Sequence, residues 1–260
     1  MRDTEKKPLY FERKYRSIKR KVLWNIVQNQ YGIILVSEYP KSGGTWFAKM
    51  IAECMGLPFP RNNMPVKFEK CVLHGHVGFS ERYKKPLHVI RDGRDVAVSA
   101  YFHFLFENEW NIPEFVAENR KKLNFRDLND VENNMAQFIK YLFDDYGTSL
   151  GHYSWPEFIR QWYRNDVFQV KYEELLIQPN EAVIKALEFL DFSCSKDKIQ
   201  QIVEKNSFAN VSRKDNQASF VRKGISGDWK NYFNTEAKDI FKKYANDELI
   251  MLGYEQGEDW

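Results

Sequence analysis

One lysine stands among small and hydroxylated residues near the start of the chain. In "YPKSGGTWFAKM" (39–50), Lys41 is followed by Ser42, Gly43, Gly44, Thr45 and Trp46. Residue types like these can hold an anion. Backbone N–H groups at a helix start attract phosphate, and glycines let the backbone approach it closely. The lysine adds charge and the hydroxyls add donors. The order is not that of the Walker loop, G-x-x-x-x-G-K-[ST], because the lysine here precedes the glycines. No Walker-type aspartate for magnesium is evident, and G-x-G-x-x-G is absent. The stretch reads as a P-loop-like anion cradle that need not use a metal. Taken alone, a turn rich in small residues would look much the same.

Two further cationic sites lie downstream. Arg91 follows the apolar run "PLHVI", and Ser99 lies two turns into the helix expected next. An arginine at a strand tip can hold phosphate with its planar fork, or it can pair with its acidic neighbours. In "FVRKGISGDWKNYF" (220–233), Arg222, Lys223 and Gly224 form a cationic loop. A charged surface loop is the plainer reading of that segment by itself.

These residues need a scaffold. "GIILVSE" (32–38), "CVLHG" (71–75), "PLHVI" (86–90) and the start of "DVFQVKYEEL" (166–175) read as strands. Phe47, Met50, Ile51 and Cys54 fall at i, i+3, i+4, i+7 and mark one face of a helix ending near Gly56. Asp92 suits the N-cap of another helix. Residues 14–29 predict a basic amphipathic helix with Ile18, Val22, Ile26 and Val27 inward. Strands alternating with helices predict an α/β fold: a single domain with a mainly parallel central sheet flanked by helices. Residues 104–165 carry no strand pattern and predict a helical insertion that covers an acceptor.

Composition sets the outer bounds. The 260 residues are 43% hydrophobic and 29% charged, as in ordinary globular proteins, and 16% aromatic. A net charge of +3 does not argue for nucleic acid. Basic residues do cluster in the N-terminal segment 1–30, where six of the nine residues 13–21 are Lys or Arg. Three scattered cysteines without C-x-x-C argue for a reducing compartment and against structural zinc. The N-terminus has no signal-peptide pattern, and no apolar run is long enough for a membrane span. A cytoplasmic protein without nucleic-acid or membrane partners is expected.

Taken together, "YPKSGGTW", "RDGRDVAVSAYFHF", "VKYEEL" and "FVRKGISGDWKNYF" resemble, in order and spacing, the cytosolic-type sulfotransferases. These use 3′-phosphoadenosine 5′-phosphosulfate (PAPS) as donor. The resemblance runs from about Gly32 to Tyr244. It implies that Lys41, Ser42, Gly43, Gly44, Thr45 and Trp46 bind the 5′-phosphosulfate end. It assigns the 3′-phosphate to Arg91, Ser99, Arg222, Lys223 and Gly224, and the adenine to Trp46, Phe208 and Tyr172. Family members often carry Thr where Gly44 stands. Lys41 is implied as the residue that steadies charge on the leaving group.

The family's histidine base follows the second strand in a "K-[ST]-H" context. Here the segment is "VLHGHVGF", so His76 aligns with the base, His74 replaces the lysine and Gly75 the hydroxyl residue. That departure leaves the choice between His74 and His76 open, with His76 favoured. Histidine suits proton removal near neutral pH. His88, His103 and His152 read as structural. No metal-ligand cluster is expected.

The aromatics Phe79, Tyr83, Phe102, Phe104, Phe106, Trp110, Tyr146, Tyr153 and Trp155 could line an acceptor pocket for a small molecule. Glu107, Glu109, Asp144 and Asp145 would tolerate a cationic one. The family's dimer signature is met only loosely at residues 230–239, so monomer and homodimer both stay open. Two other functions fit parts of the pattern: a P-loop-type kinase needing Mg²⁺ and ATP, and a non-enzymatic protein that binds anionic polymers through residues 13–21.

Overall fold

The protein is described here as a computed structural model covering residues 10–61, 64–107, 111, 113–146, 153–207, 210 and 224–260. Four short strands form its sheet: β1 (Ile34–Glu38), β2 (Val72–Gly75), β3 (Leu87–Ile90) and β4 (Phe168–Lys171). All pair in parallel, in the order β2-β1-β3-β4. The register sets Val36 beside His74 and Glu38 beside Val89.

Parallel strands inside a sheet are covered on both faces, and β1, β2 and β3 are buried along nearly their whole length, whereas β4 at the sheet edge alternates as Phe-Gln-Val-Lys. Successive side chains feed opposite layers. Leu35 and Leu73 enter one core cluster, and Val36, Val72, Leu87 and Val89 the other. Helix α3 (Gly44–Met55) seals the second layer with Phe47, Met50, Ile51 and Cys54, all 0% exposed, and ends at Gly56 in the left-handed region. The apolar spacing had marked this face. Helix α4 (Gly93–Leu105) covers the first layer and is capped by Asp92, whose side chain accepts the Arg94 N–H at 2.9 Å.

The N-terminal helix α1 (Tyr10–Asn25) differs from expectation in the face it buries. Ile18 and Ile26 are exposed, while Leu23 and Trp24 are buried. Trp24 decides this orientation. It packs edge-on against Tyr83, with centroids 6.2 Å apart, and its ring lies over Gly75. A short helix α2 (Gln28–Tyr31) then turns the chain into β1.

The described residues of 104–165 form helices joined by loops and carry no strand. They contain helices Pro113–Leu123, Val131–Lys140 and Trp155–Trp162 and a π-helical turn, Tyr141–Tyr146. Among the described residues, no helix is long and apolar enough to cross a membrane.

Strand order reverses between β1 and β3. In open α/β sheets the crevice at such a point, beyond the carboxyl ends of the strands, receives the ligand. The loops that leave β1 and β3 there carry Lys41 and Arg91.

Candidate active site

The β1–α3 loop is built by two left-handed residues. Gly43 has φ 92° and Lys41 φ 76°. A side chain at Gly43 would be strained by that angle and would also strike Tyr172, whose Cδ2 lies 2.5 Å from an ideal Cβ. Glycine is required there both by conformation and by the close approach of a ring. Trp46 meets Tyr172 edge-on at 6.3 Å, and its Nε1–H donates to the Asn206 carbonyl at 2.9 Å. Asn206 belongs to the "KNSF" segment, whose Phe208 lies outside the described residues.

Arg91 joins the two loops. Its Nη1 donates to the Lys41 carbonyl at 2.9 Å, and its guanidinium stacks over Tyr172 at 4.4 Å. Among the described residues its Nε is buried with no hydrogen-bond partner, and so is the hydroxyl of Ser42. Buried donors without partners are rare. Both lie where the loops could take an anionic group. Burial, opposed by Glu38 and aided by Arg91, lowers the Lys41 ammonium to about 8.

Glu38 was not singled out by sequence, although an acid ending an apolar strand beside the loop was a signal. It is 3% exposed. One carboxylate oxygen accepts the Gly44 amide, and the other accepts His74 Nε2–H at 2.7 Å. Its backbone carbonyl accepts His76 Nδ1–H at 3.0 Å. Burial pushes the Glu38 carboxyl up, but the hydrogen bond and charge of His74, the charge of His76 and the Gly44 amide outweigh it and hold it low.

The two histidines therefore differ. A carbonyl can only accept, so His76 carries its proton on Nδ1 and leaves Nε2 as a basic lone pair. His74 is spent on the Glu38 carboxylate. Burial and the neighbouring His74, opposed by Glu38, lower His76 to about 4. The rings sit perpendicular with centroids 5.0 Å apart. Gly75 between them has no room for the hydroxyl residue of the relatives, since its Cβ would lie 2.9 Å from the Trp24 ring.

Sequence reading expected no metal-ligand cluster, but the fold assembles one candidate. Glu38, His74 and His76 bring one ligand atom each within 4.8 Å of the others. His88 is structural, as expected. It is fully buried, donates Nδ1–H to the Ser37 carbonyl at 3.1 Å and stacks on Trp162. His103 packs against Phe104 and Phe115 and is lowered to about 4 by burial and by the charge of Lys41. His152 lies outside the described residues.

Ser99 lies half-buried on α4. Gly224 is left-handed, at φ 63°, and opens the last loop. Arg222 and Lys223 lie outside the described residues. The loop after Gly224 is tied to α4 through Asp95, which accepts Gly227 N–H at 2.7 Å and Trp229 N–H at 2.9 Å. Of the expected acceptor aromatics, Tyr83, Phe104 and Trp155 are core residues. Phe79, Phe102, Phe106 and Tyr153 are half-buried, and Trp110 lies outside the described residues. Glu107, Asp144 and Asp145 are exposed.

Comparison with known proteins decides the family. The family model described as "Sulfotransferase domain" matches residues 74–253. The chain belongs to the sulfotransferase family. Mouse sulfotransferase 1B1 is 26% identical to it, over 83% of each chain. Rat sulfotransferase 1A1 is 22% identical, over 80% of this chain and 81% of its own. A crystal structure of a mouse sulfotransferase complexed with PAP shares the fold, with a TM-score of 0.62 at 18% identity, covering 85% of this chain and 87% of that one. A retinol dehydratase with androsterone and inactive cofactor PAP does so at a TM-score of 0.58 and 17% identity. The three positions where the sequence pattern departs from the resemblance, Gly44, His74 and Gly75, lie around Glu38: its carboxylate meets the Gly44 amide and His74, and Gly75 follows His74 at the end of β2.

Proposed function

We propose that this sulfotransferase moves a sulfuryl group from PAPS to a hydroxyl or amine of a small-molecule acceptor. The observation that carries the reading is the junction of the two loops. Arg91 is bonded to the Lys41 carbonyl and stacked on Tyr172, and its Nε and, on the neighbouring loop, the Ser42 hydroxyl are buried without a partner among the described residues. That arrangement suits a ligand with two phosphate ends and a ring between them. The structurally similar proteins crystallised in complex with PAP support the same donor.

Each residue has a part in the transfer. The turn Gly43 to Trp46, whose Gly44 and Trp46 amides are already given to Glu38 and the Gly43 carbonyl, offers its remaining amides with the hydroxyls of Ser42 and Thr45 to the 5′ phosphosulfate. Arg91, Ser99 and the Arg222–Gly224 loop hold the 3′ phosphate, while Trp46, Tyr172 and Phe208 grip the adenine. His76 Nε2 takes the acceptor proton as the acceptor atom bonds to sulfur. The bond from sulfur to the bridging phosphate oxygen breaks, and Lys41 steadies the charge left on that oxygen. Helical residues 104–165 cover the acceptor. Phe79, Phe102, Phe106 and Tyr153 supply its half-buried aromatic wall.

Thermal unfolding tests the donor. A ligand that binds only the native state raises the midpoint by mass action. A rise with 3′,5′-adenosine bisphosphate is expected. A rise with ATP and Mg²⁺ but none with the bisphosphate would replace this reading with a kinase, and a rise with heparin alone with a polymer-binding protein.

A further inference from the structure

We propose that Glu38, His74 and His76 form a binding site for a divalent transition ion of the Zn²⁺ class, and that the ion switches transfer off by occupying the base.

The sequence "HGH" places His74 and His76 two residues apart at the end of β2, so both side chains leave the same face. Glu38 ends the adjacent strand β1, which is parallel to β2. The three residues come from two neighbouring strand ends, and one ligand atom from each lies within 4.8 Å of the others. They rest on backbone that the sheet holds in place. Glu38 and His74 are 3% and 7% exposed.

The donor set selects the ion. Two neutral imidazoles and one carboxylate suit Zn²⁺ and its first-row neighbours, whereas Mg²⁺ and Ca²⁺ want oxygen ligands. Three protein ligands leave a fourth position for water or substrate, as in open zinc sites. The surroundings already resemble a second shell. Ligating histidines commonly give their other ring N–H to a carbonyl or carboxylate, and ligating carboxylates are themselves hydrogen-bonded. His76 Nδ1–H goes to the Glu38 carbonyl, and the Glu38 carboxylate takes the Gly44 amide. Lys41 and Arg91 oppose a cation here. The Glu38 carboxylate is the compensating charge, and the site should bind less tightly than a closed four-ligand one.

Binding does not depend on the sulfotransferase chemistry, but inhibition does, because it rests on His76 as base. The two are read separately. Chelator-treated protein is titrated with Co²⁺ by visible absorption and with Zn²⁺ by calorimetry. One ion per chain is expected, with no heat from Mg²⁺. His74→Ala and Glu38→Gln should each weaken binding by at least about 10- to 100-fold, the range that losing only an outer-shell partner gives. His74→Asn serves if His74→Ala fails to fold, as judged by its thermal transition. Unchanged affinity in these variants, no binding at all, or a thiolate-to-cobalt charge-transfer band placing the ion on a cysteine would each overturn the site. Zn²⁺ should also abolish transfer, with EDTA restoring it. Stoichiometric binding without inhibition would keep the site and remove the switch, and with it the assignment of His76 as base.

Discussion

Glu38 fills the space that a side chain on Gly44 would need: an ideal Cβ there lies 2.8 Å from Glu38 Cδ. The two positions are packed as one. The bulk here stands on the strand, at Glu38, and the loop is bare at Gly44. Gly44→Thr alone should therefore overpack the loop and destabilise the protein by about 1–3 kcal/mol. Glu38→Thr alone should also destabilise, because it frees the Gly44 amide and unpairs His74. The double variant should recover at least about 1 kcal/mol of the summed loss, as contacting residues do in a double-mutant cycle. Urea unfolding of the four proteins measures this, and additive losses would deny the coupling.

The hydrogen bonds of Glu38 divide the labour of the two histidines. Removing the ring of His76 should lower kcat by about 10²–10⁴-fold, the usual contribution of a positioned proton acceptor. Binding of 3′,5′-adenosine bisphosphate should survive. His74→Ala should act more weakly and through position, since His74 holds the Glu38 carboxylate. Turnover lost in His74→Ala but kept in His76→Ala would reverse the roles.

Much of this was readable before the fold was known, for physical reasons. Strands β1, β2 and β3 announced themselves because parallel strands buried on both faces are uniformly apolar, and α3 because its buried stripe repeats at helical spacing. The loop was ambiguous alone, since any turn rich in small residues looks similar, and became readable only together with the motifs at 91–104, 170–175 and 220–233. What escaped notice depended on distant partners. Glu38 looked like the polar end of a strand, and its role exists only because β2 lies alongside and delivers His74. The inward face of α1 was misjudged for a related cause: Ile18 and Ile26 fit the helical period, yet Trp24 had Gly75 and Tyr83 to pack against and turned the helix its own way.

Asp95 ties the last loop to the site. It is 1% exposed and accepts two amides, from Gly227 and Trp229. Asp95→Ala leaves both donors unpaired, and an unsatisfied buried group costs about 1–3 kcal/mol. We expect a loss of about 2–4 kcal/mol on that basis. Affinity for the bisphosphate should fall with it, because the segment carrying Arg222, Lys223 and Gly224 leads into this anchor. Unaltered bisphosphate affinity in a folded Asp95→Ala protein would separate the anchor from donor binding.

Stability should decline in mild acid. His88 is buried between Trp162 and the Ser37 carbonyl, and burial lowers it from 6.5 to about 3. Between those values the unfolded chain binds the proton and the native one does not, so stability rises with pH across the window and is lost on acidification. From pH 6.5 to 5 this amounts to about 2 kcal/mol at 1.36 kcal/mol per unit. His88→Leu should show a smaller drop over the same range, by about that amount, when urea midpoints are compared. An equal drop in both proteins would assign the acid sensitivity elsewhere.

The pH dependence of transfer should be displaced from that of an ordinary histidine enzyme. His76 works as the neutral imidazole and is lowered to about 4 by burial and by His74, with Glu38 opposing. It stays a base well below the usual histidine range. Lys41 works as the ammonium and is lowered to about 8 by burial, with Glu38 opposing and Arg91 assisting. It loses its proton sooner than an exposed lysine. The kcat/KM for the donor reports groups of the free enzyme. It should rise through an acid limb below pH 6, stay level through neutrality and fall through an alkaline limb near 8. Lys41→Arg should carry the alkaline limb upward, since a guanidinium keeps its proton, though with a slower maximum because the fork is not a point charge. An acid limb at 6.5 would mean that the base is an unburied histidine, and His76 in this setting would not be it.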